Sequence, residues 1–367
     1  MNVKGTRDIY GDEARKKKEV ELRVASIFEK WGFEPLYTPA LEYLDLLKGK
    51  YGSEEKLIYE FQDKSGNWLG LKYDQTVPLA RFVAEKDVPL PYKRYVIDRA
   101  WRYDNPQRGR YREFTQCDID IVGPKSISAD AEVIACAYEV YKSLGIDTVF
   151  KISSRKWLNN VLGNPDNKVL RAIDKYYKIG EEEVKKLIGE DKLERLKNTG
   201  PDQELNTLFN LLNKYKVKYE FDPFIVRGLD YYTGVVWEVY AGGLNLSIGG
   251  GGRYDNLIKR AGTPIPATGM AIGLSRMLEL AEIKTVKPVF LAVIDREKAI
   301  EAANYLRNYF PIDMDTTDNP LRKQMEYANK KSYRWVIIVG DNITIKDMES
   351  GKQQIVTLDS VPKVIKL

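Results

Sequence analysis

The segment Arg110 to Asp120 alternates in a way that would put unusual chemistry on one side of a strand. Successive side chains of an extended chain face opposite ways, so Arg110, Arg112, Phe114, Gln116, Asp118 and Asp120 project together. Glu113, Thr115, Cys117, Ile119 and Ile121 project from the other side. A solvated polar face over a core face is one account of this pattern. Yet Gln and Asp fit poorly in strand interiors, and two arginines and an aromatic ring join them here. That mixture suits a nucleotide platform, with guanidinium forks clamping phosphate oxygens and a ring stacking on a base.

The chemistry is narrowed further by an absence, because the 367-residue chain contains no histidine. Ser-His-Asp and Cys-His catalysis, imidazole bases and histidine-ligated metals are all excluded. Arg, Lys, Asp, Glu, Tyr and bound metal remain. Transfer at phosphorus suits that set, since positioning and charge neutralisation do most of the catalysis there. The net charge of +5 fits a polyanionic partner, but many proteins that touch no nucleic acid are as basic. Cys117 and Cys136 are the only cysteines, which argues against a disulfide framework and a cysteine-type zinc site. No apolar run approaches ~20 residues. The opening MNVKGTRDIY lacks the apolar core of a signal peptide, so a cytoplasmic location is expected.

The elements that must carry these residues follow from periodicity. Glu13 to Trp31 has helical spacing closed by Gly32, with Asp12 as its cap. Asp63-Lys64-Ser65-Gly66 reads as a hairpin turn between Leu57 to Phe61 and Trp68 to Leu71. Thr76 to Glu85 returns to helix. Tyr92 to Arg102 and Tyr111 to Val122 read as strands joined by the polar loop Asp104 to Arg110, and Ser128 to Leu144 as a helix. Lys156 to Tyr219 shifts to Lys, Glu, Asn and Leu with helical periodicity, a helical insertion of about 157–220. Strand-like sequence resumes at Phe224 and runs through Gly249 to Gly252, and Gly269 to Ala281 closes the section as a helix. From about 286 to 367 the order is strand, helix, strand, helix, strand, which predicts a compact α/β module. Asn319-Pro320 supplies the cap and first turn of its second helix.

Several stretches carry a resemblance. Trp101-Arg-Tyr-Asp-Asn-Pro-Gln-Arg-Gly-Arg-Tyr-Arg-Glu-Phe-Thr-Gln116 resembles motif 2 of class II aminoacyl-tRNA synthetases, in the form found in histidyl-tRNA synthetases. Arg227-Gly-Leu-Asp-Tyr-Tyr-Thr-Gly234 is similar to the signature of that family, and Gly269-Met-Ala-Ile-Gly-Leu-Ser-Arg276 to motif 3. Gly251-Gly-Arg-Tyr-Asp255, Gly5-Thr-Arg-Asp8 and Leu71-Lys-Tyr-Asp-Gln-Thr76 match too, so the likeness spans the chain in order. It departs at Ser275, where the family usually has an acidic residue, and the insertion and C-terminal module are short for the family.

The resemblance implies an α/β (α+β) fold: a class II antiparallel sheet flanked by helices over 1–285, then an anticodon-binding-type domain over 286–367. It implies activation of L-histidine with ATP and transfer to its tRNA. Arg102 and Arg227 would be catalytic, holding the α-phosphate and the substrate carboxylate from opposite sides. Phe114 and Arg276 would sandwich the adenine, and Asp104 and Arg110 would serve ATP. Asp74, Gln75, Thr76, Gln116, Asp120, Tyr231 and Tyr232 would bind histidine. Gln107 and Arg108 would meet the tRNA acceptor end. Magnesium would accompany ATP, with ligands not identified, and a homodimer would form around Pro39 and Leu41-Glu42.

Each residue also has a plainer account. Asp74 could cap the helix opening at Thr76. Tyr231 and Tyr232 could be core aromatics, Arg276 a flank residue, and Gly249 to Gly252 a tight turn or a close backbone approach. A synthetase-like regulatory subunit of ATP phosphoribosyltransferase is the rival reading. Such proteins typically lose parts of the Arg-Gly-Leu-Asp-Tyr-Tyr signature and the C-terminal module.

Overall fold

The computed structural model describes residues 1–48, 56–106, 109–227, 231–242 and 247–366. They form two compact units, Met1–Ile283 and Lys284–Leu367, each with a core of its own.

The first unit begins with α1 (Gly11–Lys30), β1 (Glu34–Pro35), β2 (Leu41–Tyr43) and α2 (Leu44–Leu47). The hairpin of β3 (Glu60–Gln62) and β4 (Trp68–Leu71) precedes α3 (Thr76–Glu85). Next come β5 (Tyr92–Trp101), β6 (Glu113–Val122), α4 (Ile127–Ser143) and β7 (Thr148–Ser154). The insertion is helical throughout: α5 (Arg155–Leu162), α6 (Asn167–Asp174), α7 (Tyr176–Ile179), α8 (Glu181–Ile188), α9 (Glu190–Asn198) and α10 (Gln203–Tyr215). Strands β8 (Tyr219–Phe221), β9 (Val235–Ala241), β10 (Ser247–Arg253), β11 (Ile258–Arg260), β12 (Thr263–Ile265) and β13 (Ala267–Gly273) follow, and α11 (Leu274–Leu280) ends the unit.

An eight-stranded sheet in the order β1-β5-β6-β13-β10-β9-β7-β8 is the platform. Every pairing from β5 to β7 is antiparallel, and only the edge strands β1 and β8 run parallel to their neighbours. One face packs against helices: Cys117, Ile119 and Ile121 of β6 share a core with Val133, Cys136, Val140 and Tyr141 of α4. Burying a large aliphatic or aromatic side chain contributes roughly 1.5–3 kcal/mol, so this face fixes the register of β6. A slip by one residue would drive Gln116, Asp118 and Asp120 into the core. The opposite face is thereby committed to carrying them.

The second unit runs β14 (Val289–Val293), α12 (Arg296–Leu306), β15 (Ile312–Met314), α13 (Leu321–Lys330), β16 (Trp335–Val339), β17 (Ile343–Asp347), β18 (Gln353–Val356) and α14 (Val361–Val364). Its sheet, β15-β14-β16-β17-β18, is parallel through β16 and antiparallel beyond.

The structure departs from the sequence reading at several points. Helix α1 starts at Gly11 after Tyr10, so Asp12 is not its cap but sits in its first turn, where a carboxylate favours the helix dipole. Strand β6 begins at Glu113, and Arg112 does not join its polar face: the guanidinium lies 3.9 Å over the Tyr103 ring and donates to the Asp104 carbonyl at 3.0 Å. Phe224 to Arg227 forms no strand. Gly249 to Gly252 lies inside β10, in keeping with the strand-like run and the close backbone approach, but Gly269 to Gly273 is strand β13, which leaves only Leu274–Leu280 as helix. Pro320 is itself the N-cap of α13.

The glycine strands have a steric reason. A Cβ on Gly269 would collide with the Asp120 carboxylate, and one on Gly250 would stand 2.5 Å from Arg227 Nη1. Only glycine lets the strand pass so close beneath those two side chains.

Candidate active site

A cavity of about 750 Å³ opens on the polar face of the large sheet. Phe114, Gln116, Asp118 and Asp120 enter it from alternate positions of β6. Asp74 and Thr76 reach it from the start of α3, and Arg102, Asp104 and Arg110 from the connection between β5 and β6. Arg227, Tyr231 and Tyr232 close another wall, with Arg276 arriving on α11. Of the residues expected at the site, Gln75 is not among those lining the cavity: its side-chain Nε2 donates to the Arg99 backbone carbonyl at 2.9 Å, and its backbone carbonyl accepts from Arg94 at 2.9 Å. Gln107 and Arg108 lie outside the described residues.

The cavity has a cationic part. Arg102 is held by Nε donating to the Tyr73 carbonyl at 2.9 Å, and its guanidinium lies 5.2 Å from the centre of the Phe114 ring. Arg110 pairs with Asp104 at 2.5 Å. Arg276 donates to the Ser247 carbonyl; burial and then the nearby Arg110 charge pull its pKa below the usual value. Arg227 donates from Nη1 to Glu238 Oε1 at 2.8 Å, while its buried Nε has no hydrogen-bond partner. Burial disfavours the Arg227 charge, but Tyr232 and Glu238 outweigh it and raise the pKa. Arg227 is charged under all working conditions.

The cavity also holds a cluster of buried acceptors. Asp74 Oδ1 accepts from the backbone N–H groups of Thr76 at 3.2 Å and Val77 at 3.0 Å, so Asp74 does cap α3. Its Oδ2 is buried without a partner, as are Gln116 Oε1 and Asp118 Oδ1. Asp120 is held by Arg94 at 2.6 Å and by the Tyr254 hydroxyl. Burial raises the pKa of Asp74 and Asp120 and pushes Asp118 well up, with Asp120 and Asp74 adding to that last shift against Arg94. Buried acceptors cost roughly 1–3 kcal/mol each when unpaired. Three residues that carry such acceptors line one cavity, an arrangement able to take a cationic or donor-rich ligand group.

Tyr231 and Tyr232 pack with ring centres 4.9 Å apart, and Tyr231 meets Tyr254 edge-on at 5.7 Å. These rings belong to a small hydrophobic cluster and also wall the cavity, so the two accounts of them coexist.

Comparison with known proteins matches this arrangement to a family. A model of histidyl-tRNA synthetase matches residues 5–166 and 156–277, and a model of the anticodon binding domain matches residues 289–367. A histidine–tRNA ligase of Nanoarchaeum equitans is 38% identical over 395 aligned residues, covering 98% of each chain. One from Aeropyrum pernix is 39% identical, covering 83% of this chain and 82% of its own.

The chain belongs to the histidyl-tRNA synthetase family.

A solved histidyl-tRNA synthetase from Nostoc sp. PCC 7120 superposes with a TM-score of 0.85 at 25% identity, over 99% of this chain and 98% of that one. An ATP phosphoribosyltransferase regulatory subunit/histidyl-tRNA synthetase from Bacillus halodurans C shares the fold, with a TM-score of 0.75 at 24% identity over 92% and 97% of the two chains.

Within this family framework the cavity also contains residues that the sequence reading did not assign. Asp118 carries the same alternation signal as Gln116 and Asp120. Glu238 interrupts the apolar run Val235-Val-Trp237, a signal of a polar group with a purpose. Tyr254 lines the cavity and donates to Asp120, and Arg94 stands behind, paired with Asp120. Arg171, Asp174 and Lys175 reach the rim from the insertion, and nothing in their local pattern distinguishes them from the solvated charges around them.

Proposed function

We propose that the chain is a histidine–tRNA ligase that joins L-histidine to ATP, releasing pyrophosphate, and then passes histidine to the 3′ end of its tRNA. The carrying observation is that one cavity holds both kinds of group: the cations Arg102 and Arg227, and the buried acceptors of Asp74, Gln116 and Asp118. An amino acid is a zwitterion, and a cavity with both kinds of group can seat both of its ends. The ammonium group takes the acceptors, and the carboxylate meets the arginines beside the α-phosphorus. Bidentate guanidinium contacts offset the repulsion between two anions and stabilise the crowded transition state. The carboxylate oxygen bonds to phosphorus, the bond to the β-phosphate oxygen breaks, and pyrophosphate leaves. A terminal hydroxyl of the tRNA then displaces AMP from the histidyl carbonyl. No imidazole base is needed in the first step, because the attacking oxygen is already ionised.

Phe114 stacks on adenine and Arg276 covers its other side by cation–π contact, with Arg110 on the outer phosphates. Asp120, Tyr231 and Tyr232 enclose the imidazole, whose two nitrogens are one donor and one acceptor. A pocket of paired polar groups rejects amino acids that lack them by orders of magnitude. Gln107 and Arg108 are assigned to the acceptor end of the tRNA, and the module over 289–367 to its anticodon.

Magnesium fits only as part of the ATP complex. Among the described residues no three metal-ligating side chains converge, and Asp104 and Glu238 already pair with arginines. Such an ion would be held by the ATP phosphates and water, and would supply charge neutralisation for the leaving pyrophosphate.

The exposed stripe Leu41, Tyr43 and Phe61 supports a homodimer. Tyr43 and Phe61 are both cross-strand neighbours of Leu69, and all three stripe residues are more than 40% exposed. A second copy covers such a stripe most simply in a two-fold pair. No described helix is long and apolar enough to cross a membrane, and ATP and tRNA as substrates put the reaction in the cytoplasm.

Histidine-dependent ATP–pyrophosphate exchange tests the reading: exchange with histidine and not with other amino acids is expected, and none with histidine would sink it. Histidine binding without exchange would instead favour the regulatory-subunit alternative, which the anticodon-binding match over 289–367 opposes.

A further inference from the structure

Arg227 is a non-glycine residue at φ +62, in the left-handed region. Such a conformation is unfavourable for a residue with a Cβ and persists only where the surroundings hold it. Two chains of contacts converge on this residue, and both begin in the helical insertion.

The first acts on its backbone. Tyr176 of α7 stacks on Phe224, with ring centres 3.6 Å apart and planes 9° from parallel. The neighbouring Tyr177 hydroxyl donates to Asp222 Oδ2 at 2.6 Å. Asp222 is itself buried and accepts from the Phe224 N–H at 3.0 Å. The insertion thus grips Asp222 and Phe224, which lead directly into Arg227.

The second acts on the guanidinium. Lys151 of β7 donates to Asp222 Oδ2 at 3.1 Å, and its ammonium lies 4.5 Å from the Tyr177 ring centre and 5.5 Å from that of Tyr240. The Tyr240 hydroxyl donates to Glu238 Oε2 at 2.7 Å, and Glu238 Oε1 holds Arg227 Nη1. Asp222 is where the two chains meet.

We propose that the insertion is a positioning element for Arg227, acting through Tyr176, Tyr177 and Asp222 on both its backbone and its side chain. The inference rests on Arg227 meeting the transferred phosphate. None of the three residues touches substrate. Their role is to keep the guanidinium where attack occurs, so their loss falls on the rate of activation and not on substrate binding.

The test is steady-state ATP–pyrophosphate exchange with the full chain. Tyr177→Phe keeps the ring and removes one hydroxyl, so it leaves the fold intact. It should lower kcat roughly three- to tenfold, about what one ordinary hydrogen bond is worth net of its exchange with water, with KM for ATP and histidine within about twofold. Adding Tyr176→Ala should deepen the loss. In an Arg227→Lys background, which lacks the guanidinium fork, Tyr177→Phe should cost less than twofold, because the two changes act on one unit. A wild-type kcat for Tyr177→Phe, a loss confined to KM, or full additivity with Arg227→Lys would overturn the inference. Absence of histidine-dependent exchange in the wild-type protein would overturn the synthetase reading first and this inference with it.

Discussion

Gly250 lies directly under Arg227. A Cβ built on the glycine stands 2.5 Å from Nη1, 2.9 Å from Cζ and 2.8 Å from the Trp237 carbonyl. The guanidinium could swing aside, but the carbonyl belongs to the pairing of β9 with β10 and cannot. Gly250→Ala should therefore displace Arg227 from Glu238 and slow histidine-dependent exchange by roughly tenfold or more, since small misplacements of a reacting group are that costly. Exchange at the wild-type rate would show that the guanidinium's position is not critical.

Arg227→Ala removes the guanidinium outright. Loss of one transition-state donor costs on the order of 10²–10³ in rate, and adenylate formation should fall at least that far. The truncated side chain faces a cavity and not the core, so circular dichroism and melting should be close to wild type. A mutant with near-normal exchange would overturn the assignment.

Asp118 makes a prediction about pH. Burial pushes its carboxyl well above the usual value, and Asp120 and Asp74 add to the shift. With the folded pKa above the unfolded one, the folded state binds more protons in the interval between them. Stability is then fully present below about pH 4 and is lost as pH rises through the folded value. Asp118→Asn removes that dependence. The unliganded variant should melt a few degrees higher than wild type at neutral pH, and it should bind histidine more weakly because the ammonium loses a charged acceptor. Identical pH dependence of melting in the two proteins would remove Asp118 from this role.

How legible the site was depended on periodicity. On β6 the strand alternation placed Phe114, Gln116 and Asp120 correctly, because the apolar partners Cys117, Ile119 and Ile121 fix the register. Arg112 broke the pattern because the strand starts only at Glu113. The glycines of β13 misled, read as the start of a helix, whereas for those of β10 a tight turn and a close backbone approach both stood open. Glycine is a turn signal in isolation, and the reason for it here is an Arg or Asp side chain more than a dozen residues away. At Asp74 the plainer account holds for one oxygen, which takes the first N–H groups of the helix, while the other is buried without a partner in a residue that lines the cavity. The insertion's hold on Arg227 had no local signal, since Tyr176 and Tyr177 act on residues more than forty positions later.

The exposed stripe on β2, β3 and β4 gives a prediction about assembly. Phe61→Glu places a charge where Leu69 and Tyr43 form an apolar neighbourhood. If a second copy covers this face, sedimentation should show the wild-type protein as a dimer and the variant as a monomer. A monomeric wild type, or a dimer that persists in the variant, would assign the stripe to something else.

Separability of the C-terminal module is the last prediction. Val289, Leu291, Ala303, Leu306, Ile337 and Val339 form a core inside the second unit, and the first unit's core includes none of them. Every residue of the cavity also lies before Ile283. Deleting Lys287 to Leu367 thus removes neither core residues nor chemical groups from the first unit. Histidine-dependent exchange should survive the deletion with kcat within about threefold. Charging of tRNA should weaken, through KM for tRNA, because contacts to a polyanion add affinity with each phosphate or base engaged. Exchange and charging compared on the same truncated preparation separate the two steps. Equal charging by the full and truncated chains would show that the module does not hold the tRNA, and lost exchange would show that the first unit needs it to fold.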